Sequence, residues 1–262
     1  MKRFVRLWIL VLILATGQVA GSAAGEATVA TAANFVVAAE HLKSQFQTRS
    51  GHRITVVSGS TGKLASQVAL GAPFDVLLAA DQVRPRWLVE NRHAVAGSQF
   101  TYSVGRLVLW SAEAAHLDAA NGGPADILKA GRFRRLAIAN LALAPDGVAA
   151  EEALTTLGLL QQLKPKLIYG ENVQQAYAFA ASGNAELALV AQSLVRGARS
   201  PMKGAFLQLP RDLHQPIRQD AVLLKRGAGN PAAIAFLSFL KTTEAMRIMQ
   251  ELGFETGQAA LQ

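Results

Sequence analysis

Residues 27–81 read ATVATAANFVVAAEHLKSQFQTRSGHRITVVSGSTGKLASQVALGAPFDVLLAAD, and the fold follows from how this stretch alternates. Short β-rich runs (ATVATAA, HRITVVSG, FDVLLAAD) are separated by amphipathic, Ala-rich segments (FVVAAEHLKSQFQTRSG, KLASQVALGA). Strand, helix, strand, helix, strand predicts a parallel sheet covered by helices on both faces. In the first helix Val36, Ala39, Leu42 and Phe46 share one side and Glu40, Lys43 and Gln47 the other, with Gly51 as the stop signal.

The same grammar returns downstream. FTYSVGRLVLWSA reads as a long apolar strand; a helix near Pro124 to Arg132, a strand RLAIAN and a helix after Pro145 follow. LIYG, a helix from Val173 to Ser182 and the run ELALVA extend this unit to about Leu209. After Pro216, RQDAVLLKR reads as another long strand, Asn230-Pro231 opens a helix to Leu240, and a last helix spans Thr243 to Leu252. The two long strands, 100–111 and 217–225, bracket the middle third of the chain. The expected architecture is therefore α/β with two lobes, each a mostly parallel sheet flanked by helices, joined by two crossing strands around a cleft. The first lobe is discontinuous, 25–104 and 218–262, and the second is 105–217. No internal repeat, low-complexity linker or charge block argues for separate modules.

Of the 262 residues, 51% are hydrophobic, enough for a substantial core, which excludes a disordered chain. The opening MKRFVRLWILVLILATGQVAGSAAGEA sets Lys2, Arg3 and Arg6 before the apolar run Leu7 to Ala15 and small residues after it. That is the pattern of a secretory signal peptide, 1–24, with cleavage expected near Ala24 and a periplasmic destination. A membrane anchor fits less well, because the run is about half the ~20 residues a span needs. The lack of cysteine means that the core, not disulfides, must stabilise the exported chain. Net charge is +8, falling to +5 without the three leader cations, but the basic residues are scattered and lack interleaved aromatics. A nucleic-acid partner is therefore not expected, and the excess favours solvated faces and, mildly, an anionic ligand.

Open parallel sheets bind ligands at the carboxyl ends of their strands, where helix N-termini present N–H groups without intrahelical partners. The first strand ends in Ala33-Asn34 and the second in Ser60-Thr61, each directly before a helix. Either turn alone reads first as a plain helix cap; two on neighbouring strands would aim at one point. Gly62-Lys63 resembles part of a phosphate-binding P-loop, yet Val57 stands where the upstream glycine is required and Leu64 where Ser or Thr is required. Ser60-x-x-Lys63 also fits the nucleophile motif of exported serine acyl-enzymes, but their K-T-G partner is missing. His52, His93, His116 and His214 lie far apart with no i, i+4 partner, so no metal site is expected. Asp75 and Asp81, flanking FDVLLAAD, are expected in turn geometry and capping.

Read in order after a signal peptide, ATAANF, SGSTGKLASQV and GAPFDVLLAADQ resemble the periplasmic molybdate-binding proteins of ABC transporters, and VGRLVLWS, LAPDGVAAEEALTTLGL, NVQQA and LGFET extend the resemblance over the mature chain. The family implies a type II periplasmic-binding fold whose cleft closes over molybdate or tungstate, a monomer with no cofactor, and ABC transporter permease subunits as partner. It implies an oxyanion held by Ala33 and Asn34 from the first turn and by the hydroxyl and N–H of Thr61. Backbone N–H groups of Asp146 and Val173 would come from the second lobe, with Ser60 as a possible addition. Where some members add a tyrosine hydroxyl, this chain has Ala191, and Asn34 is expected to compensate. The Asp146 side chain is expected to turn outward and cap its own helix. If instead the anion carries a proton, a phosphate-type ligand becomes the alternative, with sulfate-type oxyanions in the same class.

Overall fold

The computed structural model describes residues 24–118, 122–196 and 204–257, so the leader read at 1–24 lies, but for Ala24, outside the described residues, as do 258–262. β1 (Glu26–Ala32) passes through a 3-10 turn (Ala33–Phe35) into α1 (Val36–Ser50). Gly51, at φ 69°, closes α1 in the left-handed conformation that glycine adopts without steric cost. β2 (Arg53–Gly59), α2 (Thr61–Ala69), β3 (Val76–Leu78), α3 (Val83–Glu90) and β4 (Phe100–Gly105) complete this portion. The chain then enters β5 (Leu107–Ser111), α4 (Pro124–Ala130), β6 (Leu136–Ala139), α5 (Pro145–Thr156), α6 (Leu160–Leu163), β7 (Leu167–Gly170), α7 (Val173–Ala181), β8 (Leu187–Ala191), α8 (Gln192–Arg196) and β9 (Ala205–Gln208). It returns through β10 (Ile217–Leu223), α9 (Pro231–Phe239) and α10 (Thr243–Glu251). Asn230 caps α9 as its sequence suggests, its side chain accepting from Ala232 N at 3.0 Å.

Among the described residues the strands form two five-stranded sheets, ordered β2-β1-β3-β10-β4 and β7-β6-β8-β5-β9. In each, three strands are parallel and the fourth in the order, β10 or β5, runs against both its neighbours. The reversed strand of the first sheet thus comes from beyond the second sheet, which ties the two lobes together twice. The apolar run over 100–111 is not one strand: it changes sheet at Arg106, between β4 and β5. At the break Arg106 meets Glu255 at 3.4 Å, both side chains partly exposed. The return crossing is carried by the segment between β9 and β10, and β10 lies wholly in the first sheet.

Each sheet is buried on both faces, hence the near-continuous apolar strands such as LVLWS and LALVA. In the first lobe Phe35, Leu42, Phe46, Phe236 and Phe239 form the core under α1, α9 and α10. In the second, Leu109, Leu128, Leu136, Leu154 and Leu189 pack under α4 and α5. Ala33 belongs by sequence to the first lobe but packs with Val173, Ala139, Ala144 and Ala191 of the second. The helix starts of both lobes are thereby pressed together. No described helix is long and apolar enough to cross a membrane.

Candidate functional site

The sheet orders make the turns after β1 and β2 the counterparts of those after β6 and β7. These are the carboxyl ends at which α1, α2, α5 and α7 begin, and all four helix starts meet where the sheets face each other. Ala33, Asn34, Ser60, Thr61, Asp146 and Val173 are each at most 3% exposed, so the junction is closed to solvent.

Small residues permit the approach. Gly62 N donates to Leu143 O across the cleft at 2.9 Å, and a Cβ on Gly62 would lie 3.2 Å from that oxygen. Ser193 Oγ, at the start of α8, donates to Asn34 O at 2.6 Å. Arg84 Nη2 reaches Ala142 O at 3.2 Å, and Lys63 Nζ pairs with Glu171 at 2.8 Å. The last two lie near the surface and contribute little energy; they mark the rim of the closed cleft.

Thr61 opens α2. Its Oγ1 accepts from Ala80 N at 3.0 Å, which fixes the hydroxyl rotor, and among the described residues it donates to none. The side chain therefore does not cap its helix. Its proton and its N–H, a first-turn donor, are left for the junction. Ser60 occupies the N-cap position without making a cap bond, and its buried Oγ has no partner among the described residues. Lys63 Nζ, the base that an acyl-enzyme reading requires, pairs with Glu171 on the other lobe and not with Ser60.

Asn34 sits in the 3-10 turn, anchored by Phe35, whose ring makes edge contacts with Tyr102 at 4.7 Å and Phe254 at 5.0 Å. Asn34 Nδ2 donates to Asp146 Oδ1 at 3.4 Å, while Asn34 Oδ1 is buried without a partner among the described residues. Asp146 corrects the sequence expectation. Its carboxyl does not turn outward to cap α5 but lies buried in the junction, because the cross-lobe Asn34 amide offers it a donor there. Burial pushes this carboxyl up to about 6; its own N–H and the Asn34 amide pull the other way. The Tyr102 phenol is also pushed up, by burial first and then by Asp220, Asp146 and Asp81. Val173 is the first residue of α7, capped by Asn172, whose side chain accepts from Gln175 N at 3.1 Å and leaves the Val173 N–H forward. Asp81 shapes its turn as expected, accepting from Arg84 N at 2.8 Å, whereas Asp75 does not: it accepts from Thr28 N of β1 at 2.7 Å and ties the two segments together.

Sequence reasoning missed Ser193 and Ala80, and both come from turns after the third parallel strand of a lobe. Ser193, at the start of α8, holds the Asn34 carbonyl, and Ala80 N holds the Thr61 hydroxyl oxygen. The family resemblance pointed to Ala191, where some members carry a tyrosine, and the Ser193 hydroxyl lies two residues beyond it.

Two α/β lobes closed over a buried, donor-rich junction define the class, and the chain belongs to the bacterial extracellular solute-binding proteins, whose family model matches residues 27–255. Among curated relatives it is 44% identical to the molybdate-binding protein ModA of Rhodobacter capsulatus, with 94% of each chain covered. It is 43% identical to ModA of Azotobacter vinelandii, over 94% of this chain and 96% of that one. The solved Azotobacter vinelandii periplasmic molybdate-binding protein superposes with a TM-score of 0.82 at 35% identity, covering 88% of this chain and all of that one.

Proposed function

We propose that this chain captures molybdate in the periplasm, tungstate with it, and hands it as a monomer without a cofactor to the permease subunits of an ABC transporter in the inner membrane. The export leader is removed near Ala24. The ligand sits at the junction of Ala33, Asn34, Thr61, Asp146 and Val173, with Ser60 beside it. The observation that carries this reading is the convergence of four buried helix starts, two from each lobe, on one point; the identity to molybdate-binding relatives supplies the anion.

The chemistry is consistent. Molybdate is a deprotonated tetrahedral dianion at neutral pH and offers only acceptors. First-turn N–H groups and hydroxyls answer it, each helix adding ~0.3–1 kcal/mol of dipole stabilisation to charge-assisted hydrogen bonds. Both lobes contribute donors, so the anion stabilises the closed arrangement and closure reports occupancy. Sulfate is smaller, and its hydrogen bonds would be stretched in a site sized for metal–oxygen bonds.

One observation favours a second reading. The Asp146 carboxyl and Asn34 Oδ1 are acceptors in the junction, and an acceptor suits an anion that carries a proton, such as monohydrogen phosphate. Calorimetric titration of the mature protein with molybdate, tungstate, sulfate and phosphate decides. Tight binding of molybdate and tungstate with weak sulfate and phosphate is expected, whereas tight phosphate with weak molybdate overturns the proposal.

A further inference from the structure

We propose that Asp146 is a specificity-determining residue that fixes the proton count of the bound state: a fully deprotonated oxyanion enters together with one proton, taken from solvent onto the Asp146 carboxyl. The inference rests on the oxyanion reading above and deepens it.

Geometry leads to it. The Asp146 carboxyl is buried in the first turn of α5, in the same closed junction as the Thr61 hydroxyl, and its hydrogen-bond donor there is neutral, the Asn34 amide at 3.4 Å. The basic groups at the cleft are engaged elsewhere, Arg84 with Asp81 and Lys63 with Glu171. From β4 the neutral Tyr102 phenol acts with it, donating to Ala79 O and Gln219 Oε1. From β10 comes Asp220, bound by Thr101 and Gln99, and from the turn after β3 comes Asp81. The 3-10 turn, α7 and α8 bring Asn34, Val173 and Ser193, none of them charged, and on α5 itself Glu152 is bound by Gln215 N. Burial, not a neighbouring charge, is what raises the carboxyl, and among the described residues the cleft cations Arg84 and Lys63 are paired with other carboxylates.

A dianion in contact with an ionised carboxylate in such a setting is strongly disfavoured, so one of the two must hold a proton. Molybdate holds none at neutral pH, which leaves Asp146. Burial has already raised this carboxyl to about 6, and the incoming charge raises it further. A proton placed there lets the carboxyl donate into the anion. The Asp146 N–H, no longer drawn to its own carboxylate, is freed for the ligand. An anion bearing its own hydroxyl would donate to the ionised carboxylate instead and take up no proton.

The test is calorimetry of the full mature protein with molybdate at pH 7.5 in buffers of different ionisation enthalpy. Uptake of about one proton per ligand is expected, with Kd rising about tenfold from pH 7 to pH 8. Asp146→Asn keeps shape and neutrality; it should bind without proton uptake, show a flat pH profile, and at pH 8 bind at least about tenfold tighter than wild type. Wild-type binding with no proton uptake and a flat profile overturns this inference while leaving the molybdate reading intact. Absence of molybdate binding at every pH overturns both. If the Asn variant does not fold, the wild-type proton count decides alone.

Discussion

Thr61→Val is expected to raise the Kd for molybdate about 10- to 100-fold. Valine keeps the volume and the helix start but deletes the hydroxyl, whose oxygen is fixed by Ala80 N and whose proton is unused among the described residues. A hydrogen bond to a charged acceptor contributes ~1.5–3 kcal/mol, about one to two factors of ten in affinity. The buried Ala80 N–H also loses its acceptor, at a cost of ~1–3 kcal/mol to the fold, so Tm should fall by about 5 °C. Thr61→Ser restores the hydroxyl and should bind nearly as the wild type does. Calorimetry of the three proteins checks this; unchanged affinity in the Val variant would remove Thr61 from the site.

Gly147→Ala should damage the fold itself. Gly147 lies in the first turn of α5, pressed onto the end of β6, and a Cβ there would run into the Ala139 carbonyl, with the carbonyl carbon at 2.9 Å and the Asn140 carbonyl carbon at 3.1 Å. All of these are backbone atoms that cannot rotate away. Such overpacking costs about 3 kcal/mol, which for a chain of this size lowers Tm by about 10 °C. The displaced helix start also withdraws the Asp146 N–H from the junction, so residual folded protein should bind molybdate weakly. Gly229→Ala is the control, because a Cβ there meets nothing within 4 Å and stability should stay within about 0.5 kcal/mol. Thermal melts of both variants settle the matter.

The elements from β1 to β3 were legible because their periodicities are local: apolar positions spaced for a helix in α1, β-branched runs in β1 and β2, and a stop at Gly51. The break at Arg106 was not, because hydrophobicity continues on both sides of it and the partner that Arg106 meets there, Glu255, lies at the other end of the chain. The same holds in the site. Helix starts that could receive an anion are marked in sequence by small and hydroxylic residues after strands, which singled out the Ala33-Asn34 and Ser60-Thr61 turns. Asp146 and Val173 came only from the family resemblance, and the structure places Asn34 against Asp146 and Ala33 in one apolar cluster with Val173. What side chains do once the lobes meet is set by partners far away. Asp146 is drawn inward by an amide 112 residues distant, and Asn34 is gripped by a serine 159 residues distant. A capping rule applied to Asp146 sees only its own helix, so it pointed the carboxyl the wrong way.

The most direct measurement is an anomalous difference map at the molybdenum edge from crystals of the molybdate-loaded protein. One dominant peak is expected in the buried junction, its oxygens within hydrogen-bonding reach of the Thr61 hydroxyl and the N–H groups that open α2, α5 and α7. A peak on the outer surface, or a junction filled by side chains with the metal elsewhere, would contradict the convergence of helix starts as the binding site.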